Sequence, residues 1–238
     1  MLEYEFEVVS GQLILLPKTL PEQIKKDILH TQLLAQIYAS VGADRFSDAR
    51  EWDKRQTTAR SELMWTTQFT LATHSEPADE VTINLTTLIL NQLARAPFAN
   101  SPVMGEAIKC GLKALVAPSP AHKVFFEEII KVTPANSSSP AGALSEISFQ
   151  VSVVSPVAHM IDIQIGFGVR TLLDEHVFEA VLTGKDVVGS LSLSVSEYEL
   201  DTLGFERIRD KVVGNLAGAE KNLIVGLEPL APVVITGP

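Results

Sequence analysis

The chain has 238 residues, of which 46% are hydrophobic, enough for a sizeable core without disulfides or metals. Its 29 acidic and 19 basic residues give a formal net charge of −10, which argues against nucleic acid as a partner because DNA and RNA binders need a basic surface. The single cysteine, Cys110, excludes an internal disulfide.

The first half of the chain predicts helices that follow a short pair of strands. Changes between alternating and helical spacing of the apolar residues mark the boundaries. The predicted elements are two strands around a turn at Ser10-Gly11, a helix opened by a capping box at Thr19 and Glu22 and ended at Gly42, a charged helix over 47–64, a strand over 65–73, and a helical hairpin over 80–116 that turns at PFANSP.

The second half predicts mostly strands. HKVFFEEIIKV fits either period, and the prolines on both sides favour a strand. The predicted elements are this strand over 122–132, strands over 147–154, 160–169, 176–182 and 190–196, a helix capped by Asp201 with Phe205, Ile208, Val212 and Leu216 on one side, and an extended tail.

This order indicates an α+β fold, since strands and helices are segregated along the chain and do not alternate regularly. We expect one antiparallel sheet layered by helices in an α/β/α sandwich. The chain is predicted to form a single domain over 1–238, with a helix-rich half (1–117) and a strand-rich half (118–238).

The residues that carry enzyme chemistry are scattered in this sequence. The five histidines lack partners at metal-ligand spacing. Cys110 falls in the middle of a predicted helix, where a thiol is usually a packed side chain. No nucleotide-binding or hydrolase motif occurs, so we predict a protein that is not an enzyme and holds no metal or cofactor. A hydrolase built around Asp174 and His176 remains an alternative.

Three strand segments, 66–73, 147–161 and 187–196, are almost free of charge and alternate apolar residues with Ser, Thr or Gln. A sheet covered by helices on both faces explains this pattern. A strand that meets lipid on one side and water on the other explains it too. On the second interpretation, the hairpin 80–116 swings away at PFANSP and near 74–78, and lipid contacts these side chains: Phe149, Val151, Val153, Ile161, Ile163, Leu191, Leu193 and Val195.

Two resemblances extend this interpretation. The segment EVVSGQLILLPKTLPEQIKKDILHTQLLAQ resembles the bacterial family of the rhizosphere-expressed protein, as do ELMWTTQFTL and GFERIRDKVVGNLAG; the family implies no known activity and no catalytic residues. The order of elements is similar to that of the Cyt-class cytolytic toxins, in which helical hairpins wrap a sheet. That likeness implies a pore-forming action on membrane lipid. Pro156, which interrupts the strands, and their short predicted length depart from that class.

A binding module is the alternative function. A pocket between the hairpin 80–116 and the sheet would hold a small apolar ligand, lined by Trp65, Phe69, Phe125 and Phe167. We expect no nucleic-acid partner; membrane lipid and a second copy of the chain are candidate partners, and no partner protein is indicated. The acidic start MLEYEFEVVSG is not a conventional secretory signal, and no apolar run approaches the roughly 20 residues of a membrane-spanning helix. We therefore expect a chain made in the cytoplasm, with non-classical secretion as its route out.

Overall fold

Most strands of the chain gather into one 8-stranded sheet, in the order β10-β1-β2-β6-β7-β9-β3, with β5 added beside β6. The computed structural model describes residues 3–99, 102–133, 144–174 and 176–229. The strands of this sheet are β1 (Tyr4–Val9), β2 (Gln12–Pro17), β3 (Trp65–Ser75), β5 (Ile130–Thr133), β6 (Leu144–Val154), β7 (His159–Val169), β9 (Val187–Leu200) and β10 (Ile224–Leu227). A separate two-stranded sheet pairs β4 (Thr82–Ile83) with β8 (Leu182–Thr183).

The strands pair antiparallel with one exception, which corrects the fully antiparallel sheet predicted from the sequence. β2 runs parallel to β6, with Leu13 beside Val151. Parallel neighbours need a long crossover connection, and the helices between β2 and β6 provide it. The sheet is therefore mixed, although its long strands β6, β7, β9 and β3 form an antiparallel array.

Helices cover both faces of this sheet, so the predicted α+β class and layered arrangement are confirmed. The helices are α1 (Glu22–Gly42), α2 (Ala49–Glu62), α3 (Leu85–Leu93), α4 (Pro102–Val116), α5 (Pro120–Ile129), α6 (Thr202–Glu206), α7 (Arg209–Leu216) and α8 (Glu220–Leu223). One buried apolar cluster joins α3, α4 and α5 to one face of the sheet. A second cluster joins α1, the end of α2, α6 and α7 to the opposite face.

The segment 122–132 is the clearest error of the sequence-based assignment. It is helix α5 as far as Ile129, and only the following four residues form a strand, β5. The Ser119 side chain caps this helix by accepting a hydrogen bond from His122 N at 3.0 Å, and Pro120 occupies the first turn. Phe125 and Ile129 then lie one turn apart in the core, both fully buried.

Three further boundaries differ from the prediction. The hairpin 80–116 does not begin as a helix: Thr82–Ile83 pair with β8, and α3 starts only after Asn84, whose side chain accepts from Thr87 N. The segment 176–182 is not a strand but a turn region, apart from its last residue. The expected capping box at Thr19 is absent, because α1 has Pro21 at its N-cap and no side-chain cap.

The predicted C-terminal helix also differs from the structure. Asp201 does cap α6, accepting a hydrogen bond from Gly204 N at 2.9 Å, but the helix breaks after Glu206 and resumes as α7. Within the described part of the predicted tail, Ile224–Leu227 form β10, which pairs with β1 through Phe6 and Leu227. The sequence SPVMGEAIK also predicts Ser101 as the N-cap of α4, and this residue lies outside the described part of the chain.

Candidate functional site

The eight side chains expected to meet lipid lie together on one face of the sheet. Val151 pairs with Ile163, and Ile163 with Val195, so that alternate residues of β6, β7 and β9 point the same way. All eight belong to one apolar cluster and are at most 8% exposed. We call this surface the apolar face, defined by Phe149, Val151, Val153, Ile161, Ile163, Leu191, Leu193 and Val195. Its burial is a structural fact, and its contact with lipid stays a proposal.

The cover over the apolar face has more parts than the hairpin alone. Helix α3 packs on β7 and β9, whereas α4 and α5 pack on β6 and on the strands beyond it. Phe178, in the turn region before β8, adds an aromatic cap, with its ring 5.3 Å from that of Phe149 and 6.1 Å from that of Phe125. Within the hairpin, α3 therefore shields the β7–β9 half of the face, and α4 shields the β6 side.

A buried carboxylate marks the place where the hairpin meets the end of the sheet. Glu197 is fully buried on β9, and its Oε1 accepts a hydrogen bond from the backbone N of Phe98 at 2.8 Å, in the connection between α3 and α4. Its other oxygen lies 4.0 Å from Nε2 of His159, whose ring meets the Phe98 ring edge-on at 5.0 Å. The Phe98 side chain is 62% exposed.

The opposite face of the same strands carries polar side chains, and helices α1 and α2 bury the central part of them. We call it the polar face, defined by Gln12, Ser148, Gln150, Ser152, Asp162, Gln164, Ser192, Ser194 and Ser196. Gln150 and Gln56 of α2 exchange two amide hydrogen bonds, of 2.8 and 2.9 Å. Ser152 Oγ donates to Asp162 at 2.6 Å, and Gln12 Nε2 donates to Ser152 Oγ at 2.7 Å.

An ion pair lies at the centre of this polar layer. Arg60 of α2 is 1% exposed and donates through Nη1 to Asp162 Oδ2 at 2.9 Å and through Nε to Gln32 Oε1 at 2.9 Å. Its guanidinium also lies 4.8 Å from the ring centroid of Tyr198. Burial opposes the charge of Arg60, but the Asp162 carboxylate outweighs that effect, so the pKa of Arg60 lies above its usual value. The layer attaches α2 to the sheet through directional, charge-assisted contacts.

Sequence reasoning missed this polar layer because its members are far apart along the chain. A signal does exist: Trp52, Gln56 and Arg60 recur every four residues on α2, and Gln32 and Gln36 do so on α1. Polar residues at helical spacing indicate a polar stripe along one side of a helix. Because polar helix residues usually face solvent, only the fold assigns this stripe to the interior.

Beyond the start of α2 the polar face is open. A groove of about 350 Å³ lies between the 45–53 segment and the ends of β6, β7, β9 and β3. Ser148, Gln164, Ser192 and Ser194 are among the residues that line it. The buried guanidinium of Arg45 lies at its back and donates to Gln36 Oε1 at 3.0 Å; burial lowers the pKa of Arg45 to about 10.

The four residues expected to line an apolar ligand pocket are not brought together. Trp65 belongs to the cluster on the α1 side of the sheet, where its Nε1 donates to Thr31 Oγ1 at 3.0 Å. Phe125 and Phe167 are core residues of the opposite cluster, and Phe69 packs at its margin. Because Trp65 lies across the sheet from the other three, these side chains do not line one cavity.

The residues considered as candidates for enzyme chemistry, Asp174, His176 and Cys110, do not form a catalytic arrangement. Asp174 Oδ1 accepts from the backbone N of His176 at 2.9 Å, and both side chains are exposed. Burial raises the pKa of the Cys110 thiol, which disfavours the reactive thiolate. Within the described residues, no three His, Cys, Asp or Glu side chains come together as a metal site would require. No helix in this part of the chain has the length and apolar character to cross a bilayer.

Comparisons with known proteins give a likeness of fold only. No family model matches the chain, and no curated protein matches it. Among solved structures, it is similar to the activated Cyt2Ba monomer from Bacillus thuringiensis subsp. israelensis, with 10% identity, 80% of this chain and 97% of that chain covered, and a TM-score of 0.43. It is also similar to a delta-endotoxin, with 13% identity, 80% of each chain covered and a TM-score of 0.45.

These matches agree with the likeness to Cyt-class toxins that the element order predicts. None of the comparisons supports the resemblance to the rhizosphere-expressed protein. Both TM-scores lie below 0.5, so the reasons for any function have to come from the geometry of this chain.

Proposed function

We propose that this chain acts on lipid membranes and that β6, β7, β9 and β3 are the strands that enter lipid. The observation that carries the proposal is the pairing of an apolar face with a polar face across four adjacent strands. These strands have 11, 11, 14 and 11 residues, longer than the sequence predicted. About 9–11 residues of alternating character are what a membrane-spanning β-strand needs.

The polar face is the less common half of this pattern. A sheet buried between two helical layers gains most from apolar side chains on both sides, yet here Gln150, Ser152 and Asp162 are buried with their partners. Hydrogen bonds to α2 and between neighbouring strands satisfy them in the folded chain. Water would satisfy them equally in a lumen, whereas apolar side chains in their place would not suit a lumen.

The proposed movement is release of the α3–α4 hairpin from the sheet, with α3 leaving β7 and β9 and α4 leaving β6. Transfer of the exposed Phe98 side chain into the lipid interface is favourable. The backbone N of Phe98 is the atom that donates a hydrogen bond to Glu197. Lipid contact at Phe98 therefore draws the loop away from the sheet. Near the second expected hinge, Val81 O accepts from Gly184 N at 2.9 Å, so that end stays attached and acts as the pivot.

The finer form of the proposal is pore formation by several copies, the action that the resemblance to Cyt-class toxins implies. Barrels with an aqueous channel have about 16 strands. If each copy contributes four strands, about four copies close such a ring. The proposal therefore includes self-association on the membrane and departure of α1 and α2 from the sheet, so that the polar faces line the channel.

Dye release from liposomes tests membrane action directly. We expect leakage of a self-quenched dye from vesicles of phosphatidylcholine and phosphatidylethanolamine, with a concentration dependence steeper than first order because several copies act together. The absence of leakage at every lipid composition and pH tried contradicts the proposal.

Cysteine accessibility tests which face is exposed. In a Cys110→Ser background, Leu193→Cys places a thiol on the apolar face, and Leu200→Cys places a matched thiol on the same strand in the opposite cluster. We expect liposomes to accelerate maleimide modification of the first thiol before the second. Equal acceleration of both would indicate general unfolding, and no acceleration of either would contradict release of the hairpin.

A further inference from the structure

The open groove on the polar face differs from the closed layer beside it. In the closed layer Gln150, Ser152 and Asp162 all have hydrogen-bond partners. In the groove, the side chains of Ser148, Gln164, Ser192 and Ser194 have no hydrogen-bond partner within the described part of the chain. Side chains that can form hydrogen bonds are therefore concentrated on the floor of a concave surface where they remain available.

The groove is also kept free of side chains at its centre. Gly166 of β7 lies between Ser148 and Ser192 in the sheet register. A Cβ atom added at Gly166 would contact only the carbonyl oxygen of Ile147, at an ordinary 3.7 Å. The local packing would thus accept a larger residue, and the missing side chain leaves space over the floor. The volume of about 350 Å³ lies within the range of small-molecule sites.

The charges around the groove balance. Its lining holds two cationic residues, Arg45 and Arg50, and two acidic residues, Asp53 and Glu146. Burial raises the pKa of the Asp53 carboxyl, and this side chain has no hydrogen-bond donor in the described residues. A balanced lining does not favour a strongly anionic or cationic ligand, because either would leave two like charges without compensation.

We infer that this groove binds a neutral, polyhydroxylated ligand, that is, a sugar ring or short oligosaccharide. Serine hydroxyls and a glutamine amide both donate and accept hydrogen bonds, as ligand hydroxyls do. The half-buried ring of Phe46 at one end of the lining offers an apolar surface to the carbon face of such a ring. The inference goes beyond membrane action and does not depend on it.

Saturation-transfer NMR on the full chain tests the inference with free glucose, galactose, mannose, N-acetylglucosamine and their common disaccharides as probes. We expect transfer to at least one sugar, and weakening of its binding by about tenfold or more in Gly166→Trp, which fills the groove. Gln164→Leu, which removes one floor amide and keeps similar volume, is expected to weaken binding as well. Gln68→Leu is the matched control, because Gln68 is exposed on β3 outside the groove lining.

The outcomes separate the inference from its rivals. No transfer to any sugar overturns it, and so does transfer that Gly166→Trp and Gln164→Leu both leave unchanged while each variant melts cooperatively. Inorganic phosphate that binds in the groove where no sugar does also overturns it.

The source of the sugar is a separate result. Binding to liposomes that carry a glycolipid, lost in the same variants, would identify the source as a lipid headgroup; binding to the free sugar alone would identify a soluble glycan. Liposome leakage without sugars is a separate test, so each proposal can fail alone.

Discussion

The two faces of the central sheet are both buried at their centre, but different interactions hold them. On the apolar face, Val151, Ile163 and Val195 pack against α3–α5 through dispersion and the hydrophobic effect, which do not depend on direction. On the polar face, Asp162 is 4% exposed. Its buried carboxylate is stable there only because specific partners, such as Arg60, donate hydrogen bonds to it. Burial alone therefore does not describe this core: removing a side chain creates a cavity on the apolar face and an unsatisfied polar group on the polar face.

Loss of Asp162 is expected to have the largest effect. Asp162→Leu leaves the Arg60 guanidinium buried without its carboxylate, which costs about 3–5 kcal/mol of unfolding free energy. Urea denaturation measures the loss. The double variant Arg60→Met/Asp162→Leu is expected to recover most of it, because two apolar side chains replace the pair. A loss below about 1 kcal/mol in Asp162→Leu, as for a surface ion pair, would contradict this description of the polar face.

Truncation on the apolar face is expected to cost somewhat less and to resist repair. Ile163→Ala removes three carbons from a fully buried site and is expected to lower the unfolding free energy by about 3 kcal/mol. Its cross-strand neighbour gives the contrast with the polar face: Ile163→Ala/Val195→Ala enlarges the cavity and should be less stable than either single variant. A double variant as stable as Ile163→Ala would show that the face collapses around the space.

The amide pair of Gln56 and Gln150 gives a smaller effect. Gln56→Leu leaves the buried Gln150 amide with fewer partners, at a cost of about 1–3 kcal/mol. Adding Gln150→Leu should recover part of this loss, although it also removes a hydrogen bond to Asp162. Gln68→Leu on the exposed side of β3 is the control and should change stability by about 0.5 kcal/mol or less. If Gln56→Leu and Gln68→Leu lowered the unfolding free energy equally, the distinction between buried and exposed amides would be wrong.

The smallest effect concerns charge on β1 and depends on pH. Burial first, and then the nearby Glu5 carboxylate, raise the pKa of Glu7 from 4.5 to about 7. The folded chain therefore binds a proton that the unfolded chain has released between these two values, so this residue's contribution to stability falls as pH rises through that window and is constant above it.

Glu7→Gln should remove that decline and melt at a higher temperature than the parent chain above pH 7. Thermal melts from pH 4 to pH 8 measure the effect, with Glu62→Gln on the exposed side of α2 as the control. If the melting temperatures of the parent chain and of Glu7→Gln changed with pH in the same way across this range, the raised pKa of Glu7 would be contradicted.

Much of the fold could be read from local patterns. Alternation identified β6, β7 and β3 within a few residues, and the hydrophobic spacing of α1 and α2 located both helices, because one face of each element is buried whatever covers it. The same alternation placed Phe149, Val151 and Val153 on one apolar side. The exception is 122–132, where the apolar pairs fit both periods and the cap at Ser119 is the local feature that favours a helix.

What the sequence by itself determined is therefore the α+β class, the uncharged strand segments and the separation of their apolar and polar sides. Only the tertiary structure decided that Arg60 reaches Asp162, that β2 runs parallel to β6, and that the polar face is closed by α2 at one end and open at the other. The physical reason is sequence separation: periodicity reports how one segment divides between inside and outside, whereas a hydrogen bond between residues 102 positions apart depends on how the layers are placed against each other.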